Sequence, residues 1–335
     1  MVKMLARFAV IAFVLFPLGA NAEPVKLKFA FFSSDRALLY RAAVKPFADG
    51  VNADGLGTLE IDVQFSGALG KDPAQQVQLV LDGTADLAFV VPGYTPDRFK
   101  DNGILELPGM FRDIREATQV YTRLIAANAL AGYEDFVVIG AFTSEPQTIH
   151  SRQAVASIRD LSGKTIRVNN AVEGTALEKL GMLPVILPIN QTSDAMIAGK
   201  VDAAAVPPAM LYEFGIGRAA SHHFLLRVSV APLTLLMNRK KFESLPTSSQ
   251  NIIRKYSGEW AASRFIEVYD AGNSQAEQKL NSDARRKVVV PSQADVETAA
   301  EAFKTVTEQW LAKAPRNREL LKTVEMEIAK LRATR

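Results

Sequence analysis

An arginine inside a run of apolar, strand-forming residues is the first feature of this chain that could do chemistry. Arg167 sits in Thr165-Ile-Arg-Val168, and the pair Asn169-Asn170 follows at once as a loop signal. A guanidinium on a strand can lie on a solvent face, pair with a buried carboxylate of its own domain, or meet an anionic ligand. Its planar fork suits a carboxylate, which it holds through two parallel charge-assisted hydrogen bonds. Asn169 or Asn170, at the strand end, could donate another. The residues alone leave internal pairing and ligand binding as open alternatives.

Other chemistry finds little support. The chain has three histidines and no cysteine. His222 and His223 are adjacent, so on a strand they point to opposite sides and do not share a metal; His150 stands alone in the sequence. Gly163-Lys-Thr165 ends like a phosphate-binding loop, but Ile158 occupies the place of the required earlier glycine. Gly215-Ile-Gly-Arg-Ala-Ala220 fits a degenerate dinucleotide fingerprint, yet it follows a predicted helix where that motif needs a strand. No serine occupies a nucleophile elbow. No cofactor and no catalytic group are therefore expected. An enzyme acting on an organic acid would need a titratable residue beside Arg167, and Glu173 and His150 are the nearest candidates in sequence.

The elements that must position Arg167 follow from length and patterning. A chain of 335 residues, 48% of them apolar, suggests two domains with a core each. Residues 1–22 read as a secretory signal peptide: Lys3 and Arg7, an apolar run over 8–18, and an Ala20-Asn-Ala22 cleavage site. Removing them leaves 37 basic against 36 acidic residues, a balance that argues against nucleic-acid binding. Without cysteine there is no disulfide framework, and a soluble periplasmic product is expected. Beyond the leader, strands alternate with helices, as in parallel α/β sheets. Strands are predicted at 25–32, 59–65, 87–91, 136–142, 165–168, 184–187, 203–206, 224–230 and 233–237. Asp72-Pro73 reads as a helix N-cap and first turn. Residues 116–131 form an amphipathic helix, and 248–280 read as one very long helix, a strut able to bridge two lobes. A helix–corner–strand unit occurs twice, with Gly83-Thr-Ala-Asp86 and Gly199-Lys-Val-Asp202 at its corners, as two similar lobes would produce. Lobes of this kind enclose a cleft, where small ligands bind.

Several segments, in this order and spacing, carry a family likeness across nearly the whole mature length. They are Gly67-Ala-Leu-Gly70, residues 78–89, Leu107-Pro-Gly-Met-Phe111, Leu161-Ser-Gly-Lys-Thr-Ile-Arg-Val168, Ala198-Gly-Lys-Val-Asp202 and the stretch 237–246. The chain resembles the periplasmic solute-binding proteins of tripartite ATP-independent (TRAP) transporters, DctP-type. The resemblance implies a periplasmic-binding-protein-like α/β fold. Two lobes close on a central cleft, a long helix spans both, and the arginine at position 167 holds a ligand carboxylate. It also implies membrane permease subunits as partners. The expected division is 23–145 with 231–275 as lobe I, and 146–230 with 276–335 as lobe II. The chain departs from the family pattern where polar groups are usual: Pro146 replaces a second arginine, Val91 a polar or acidic residue, and Val206 an amide, while Ile189 stands at an aromatic position. The pocket expected around Arg167, Asn169 and Asn170 is therefore apolar, lined by Phe32, Val91, Ile189, Val206 and Met210. It suits a hydrophobic or aromatic monocarboxylate. Branched-chain oxo acids, dicarboxylates and sugar acids are the alternatives, and a signalling receptor could take the permease's place.

Overall fold

The computed structural model describes residues 23–334. The predicted signal peptide lies outside the described residues. Among them are eleven strands in two sheets. The first sheet takes β1 (Val25–Ala30), β2 (Leu59–Gln64), β3 (Leu87–Val90), β4 (Phe136–Thr143) and β10 (Pro232–Asn238), in the order β2-β1-β3-β10-β4. The second takes β5 (Thr148–Ser151), β6 (Thr165–Val168), β7 (Leu183–Ile186), β8 (Ala203–Val206), β9 (His222–Phe224) and β11 (Lys287–Val289), in the order β11-β9-β5-β8-β6-β7.

Both sheets are mixed rather than purely parallel. β10 runs antiparallel to β3 and β4, and β5 runs antiparallel to β8 and β9. The reason lies in the chain path. β4 leads through four residues into β5 of the other sheet, and β9 leads back into β10, so these crossing strands enter each sheet against the direction of its parallel core. The crossing element β5 carries His150, and the sequence signal for it as a strand was too short to stand out. Residues 225–230, predicted as strand, are extended connection instead. β3 and β8 are buried along their full length, as strands covered on both faces must be.

The helix expected over 248–280 is two helices, Thr247–Lys255 and Glu259–Ser282. Gly258 separates them with φ +62° and ψ −125°, a backbone conformation that residues with a Cβ rarely adopt. Its N–H bonds the Ile139 carbonyl of β4 at 2.8 Å, which pins the break to the first sheet. The helix Glu259–Ser282 still spans the molecule. Phe265 stacks on Phe142 of β4 at 4.3 Å, and Asn273 Oδ1 accepts the Ala209 N–H at 3.2 Å from the helix Pro208–Glu213, which follows β8.

The last two helices part company. Ala299, Phe303 and Val306 of Gln293–Ala312 join the core under the second sheet. Leu320, Val324, Ile328 and Leu331 of Pro315–Ala333 join the core under the first. Arg332 also grips Glu116 of the helix Ile114–Ala126 through two bonds of 2.8 Å. The C-terminal helix therefore packs with the first sheet, where the expected division had placed all of 276–335 with the second lobe.

The Gly258 junction makes a specific prediction. No heavy atom lies within 4 Å of where a Cβ at this position would sit, so Gly258→Ala adds backbone strain without a clash. It should cost about 1–3 kcal/mol in urea unfolding. An unchanged unfolding midpoint would show that the break does not depend on glycine.

Candidate functional site

The site is built where β6 ends. Arg167 lies between Val185 of β7 and Ala204 of β8, and the small side chain of Ala204 leaves room beside the guanidinium on that face of the sheet. Arg167 is only 1% exposed. Its Nε donates to the Leu187 carbonyl at 2.8 Å, and Nη1 to the Ala205 carbonyl at 3.2 Å. Its Nη2 donates to the Tyr94 hydroxyl at 3.0 Å, with Asn169 Oδ1 at 3.5 Å. No carboxylate among the described residues pairs with it as an ion. Internal pairing, one of the two readings left open above, is not what this geometry shows.

Glu173 is the acidic residue whose charge is felt at Arg167, but its carboxylate is engaged elsewhere. Oε2 accepts the Asn169 N–H at 2.7 Å, and Oε1 the Ser229 hydroxyl at 3.3 Å. Burial pushes its pKa up to about 7, against the lowering influence of the Asn169 N–H and Arg167. Glu106 is more extreme. It is buried, and burial together with the Glu173 charge raises it to about 8. Its Oε1 has no hydrogen-bond partner.

Three donors near Arg167 remain unspent. Nη1 uses one of its two hydrogens on Ala205. The Tyr94 oxygen accepts from Arg167 and from the Ile189 N–H at 2.9 Å, so its own proton is free to donate. Burial raises the Tyr94 pKa and keeps it a neutral phenol. Asn169 Nδ2 is buried without a partner. Arg167, Tyr94 and Asn169 line one small cavity of about 40 Å³, well below the roughly 300–1,000 Å³ of ligand pockets. One charge and several hydrogen-bond donors in a largely apolar enclosure, which Ser144, Gln147 and Tyr269 also line, can bind a single carboxylate.

Of the residues expected here, Arg167, Asn169, Phe32, Val91, Ile189, Val206 and Met210 all line the cavity. Asn170 does not. Its Oδ1 accepts the Glu173 N–H at 2.8 Å and so caps the helix Ala171–Lys179, while its Nδ2 is buried without a partner. Pro146 lies outside the cavity too, beside Glu145 and Arg227. Arg227 pairs with Glu145, so it does not supply a second arginine to the site.

Tyr94, Leu39, Phe214, Leu233 and Tyr269 also line the cavity and were not foreseen. Tyr94 belongs to the turn Pro92–Tyr94 just after β3, a segment that reads only as loop. His150 is not isolated. Its Nδ1 meets His223 Nδ1 at 2.9 Å across β5 and β9, and burial lowers the two to about 3 and about 4. Both are neutral and paired, with no third ligand. Among the described residues no group of three or more His, Cys, Asp or Glu could hold a metal ion.

Two lobed sheets, crossing strands, a spanning helix and an enclosed arginine are the architecture of a two-lobed binding protein. Residues 29–314 match the bacterial extracellular solute-binding proteins, family 7 (DctP), and the chain belongs to that family. It is a TRAP-type solute-binding protein. A solute-binding protein of Sulfitobacter sp. (strain NAS-14.1) is 24% identical over 307 residues, spanning 85% of this chain and 90% of that one. A TRAP solute-binding protein from a marine metagenome, specific for aromatic acid ligands and crystallised with 3-hydroxybenzoate, is 27% identical. It superposes with a TM-score of 0.84 over 92% of this chain and 99% of its own. A TRAP solute-binding protein from Rhodoferax ferrireducens T118, crystallised with copurified benzoate, shares the fold at 23% identity and a TM-score of 0.84, over 91% of this chain and 98% of that one. No helix among the described residues is long and apolar enough to cross a membrane.

The Glu106–Glu173 pair predicts a pH dependence. In the folded chain both carboxyls hold their protons to about 8 and about 7, whereas unfolded glutamates release them near pH ~4.3. The stability this contributes is fully present below the unfolded value and is lost as pH rises through the folded values. The melting temperature of ligand-free protein should therefore fall between about pH 5 and pH 8, and less so in Glu106→Gln. Identical slopes in the two proteins would contradict the assignment.

Proposed function

We propose that this protein binds a hydrophobic or aromatic monocarboxylate between its two lobes and hands it to the membrane permease subunits of a TRAP transporter. The observation that carries the ligand class is a buried guanidinium with no ion partner, facing a cavity otherwise lined largely by apolar side chains. A carboxylate entering that cavity meets the Arg167 charge, the Tyr94 proton and the Asn169 amide. Its body meets Phe32, Val91, Ile189, Val206 and Met210, and gains roughly 25 cal/mol per Å² of apolar surface removed from water.

The same lining disfavours the alternatives. A sugar acid would bury hydroxyl groups against Val91 and Val206, which offer them no side-chain partner, and unpaired buried hydroxyls are costly. A dicarboxylate would need a second cation. The relative specific for aromatic acids, at 27% identity over nearly the full chain, points the same way. The lobes approach by hinge motion of the crossing strands when the ligand touches both.

Arg167→Ala should weaken benzoate binding by about 2–5 kcal/mol, the usual loss when one partner of a buried charge pair is removed. The far-UV circular dichroism should stay unchanged. Isothermal titration calorimetry decides the matter: binding of benzoate at wild-type affinity by the variant would overturn the proposed grip. A thermal-shift series that responded to sugar acids or dicarboxylates and not to aromatic acids would overturn the ligand class.

A further inference from the structure

The cavity has a further polar feature, on the helix packed against the first sheet. Tyr269 lines it from the helix Glu259–Ser282, is 1% exposed, and its hydroxyl has no hydrogen-bond partner. The ring is held in place: it stacks on Phe265 at 5.1 Å and 26°, and Phe265 stacks in turn on Phe142 of β4 at 4.3 Å. Close by, Glu213 carries one oxygen that accepts the Leu38 N–H at 2.8 Å and a second, Oε1, that is buried and unpaired. The Glu213 charge acts on the Tyr269 phenol, and burial holds that phenol protonated. A buried hydroxyl left without a partner costs about tenfold or more in an equilibrium. A wholly apolar ligand would leave that cost in place.

Arg167 projects from the second sheet, whereas Tyr269 stands on the helix packed against the first. A ligand that satisfies both is polar at two ends and apolar between them, and it draws the lobes together only when both ends are met.

Resting on the function proposed above, we infer that the Tyr269 hydroxyl is a specificity-determining subsite. It pairs with a hydroxyl carried on the ring of an aromatic acid whose carboxylate lies against Arg167. The phenol oxygen can accept from such a hydroxyl and its proton can donate to it, so either orientation of the ligand group is satisfied. A site built to pair with a hydroxyl discriminates strongly against the analogue that lacks one.

The test uses calorimetric titration of wild type and Tyr269→Phe with benzoate, 3-hydroxybenzoate and 4-hydroxybenzoate. At least one hydroxybenzoate should bind wild type about tenfold or more tightly than benzoate. In Tyr269→Phe the advantage over benzoate should disappear, with an unchanged far-UV circular dichroism spectrum showing that the variant is folded. An advantage that survives in Tyr269→Phe, or a wild type that binds all three acids equally, would overturn the subsite while leaving the carboxylate grip intact. If none of the three acids bound wild type, the underlying reading would fall, and the subsite with it.

Discussion

A guanidinium taken out of water must have both its donors and its charge answered, and the cost of leaving the charge alone is several kcal/mol. Around Arg167 the donors are largely answered, by two carbonyls and a phenol, but the charge is not. The neutral partners fix the plane of the fork and hold it in the cavity wall. They do so without spending the positive charge, because the nearby carboxylate of Glu173 is bound to Asn169 and Ser229 and is raised to about 7. On the function proposed above, the arrangement leaves this charge for an anionic ligand. A neutral ligand gains nothing from it, and an anion gains the missing counter-charge.

The same contacts tie the two lobes together. Tyr94, in the turn after β3 of the first sheet, accepts hydrogen bonds from Arg167 and the Ile189 N–H of the second lobe. Next to it, a Cβ at Gly93 would stand 2.8 Å from Glu106 Oε1 and 3.1 Å from Asn169 Nδ2. The first-lobe turn can approach the end of β6 this closely only because that residue has no side chain. The contact between the lobes thus uses Arg167 and Tyr94, two of the groups proposed above to hold the ligand carboxylate. Glu106 is buried at the same junction, and burial with the Glu173 charge raises its carboxyl to about 8.

Much of the site was legible in sequence because its core is local. The strand at 165–168 and the loop signal after it are set by a few adjacent residues, and the apolar substitutions at Val91, Ile189 and Val206 are read position by position. Asn170 was harder to place because an asparagine at a strand end serves equally as a donor or a helix cap, and here its Oδ1 caps the next helix. Tyr94 and Tyr269 escaped because they reach the cavity from a turn and from the middle of a helix, where sequence period says only that a residue is buried. The mixed sheets were missed for a related reason: the direction of β5 and β10 depends on which lobe the chain enters, a long-range fact. The pairing of His150 with His223 likewise depends on the register of two strands more than 70 residues apart.

The central claim is that the buried Arg167 charge lacks a partner until a carboxylate arrives. It is tested most directly on the ligand itself, by carbon-13 NMR of carboxyl-labelled benzoate bound to the wild-type protein across a pH titration. The account predicts that the bound carboxyl remains ionised well below the pH at which the free acid is half protonated, because the guanidinium favours its charged form. A bound carboxyl that titrates at or above the free value would contradict it.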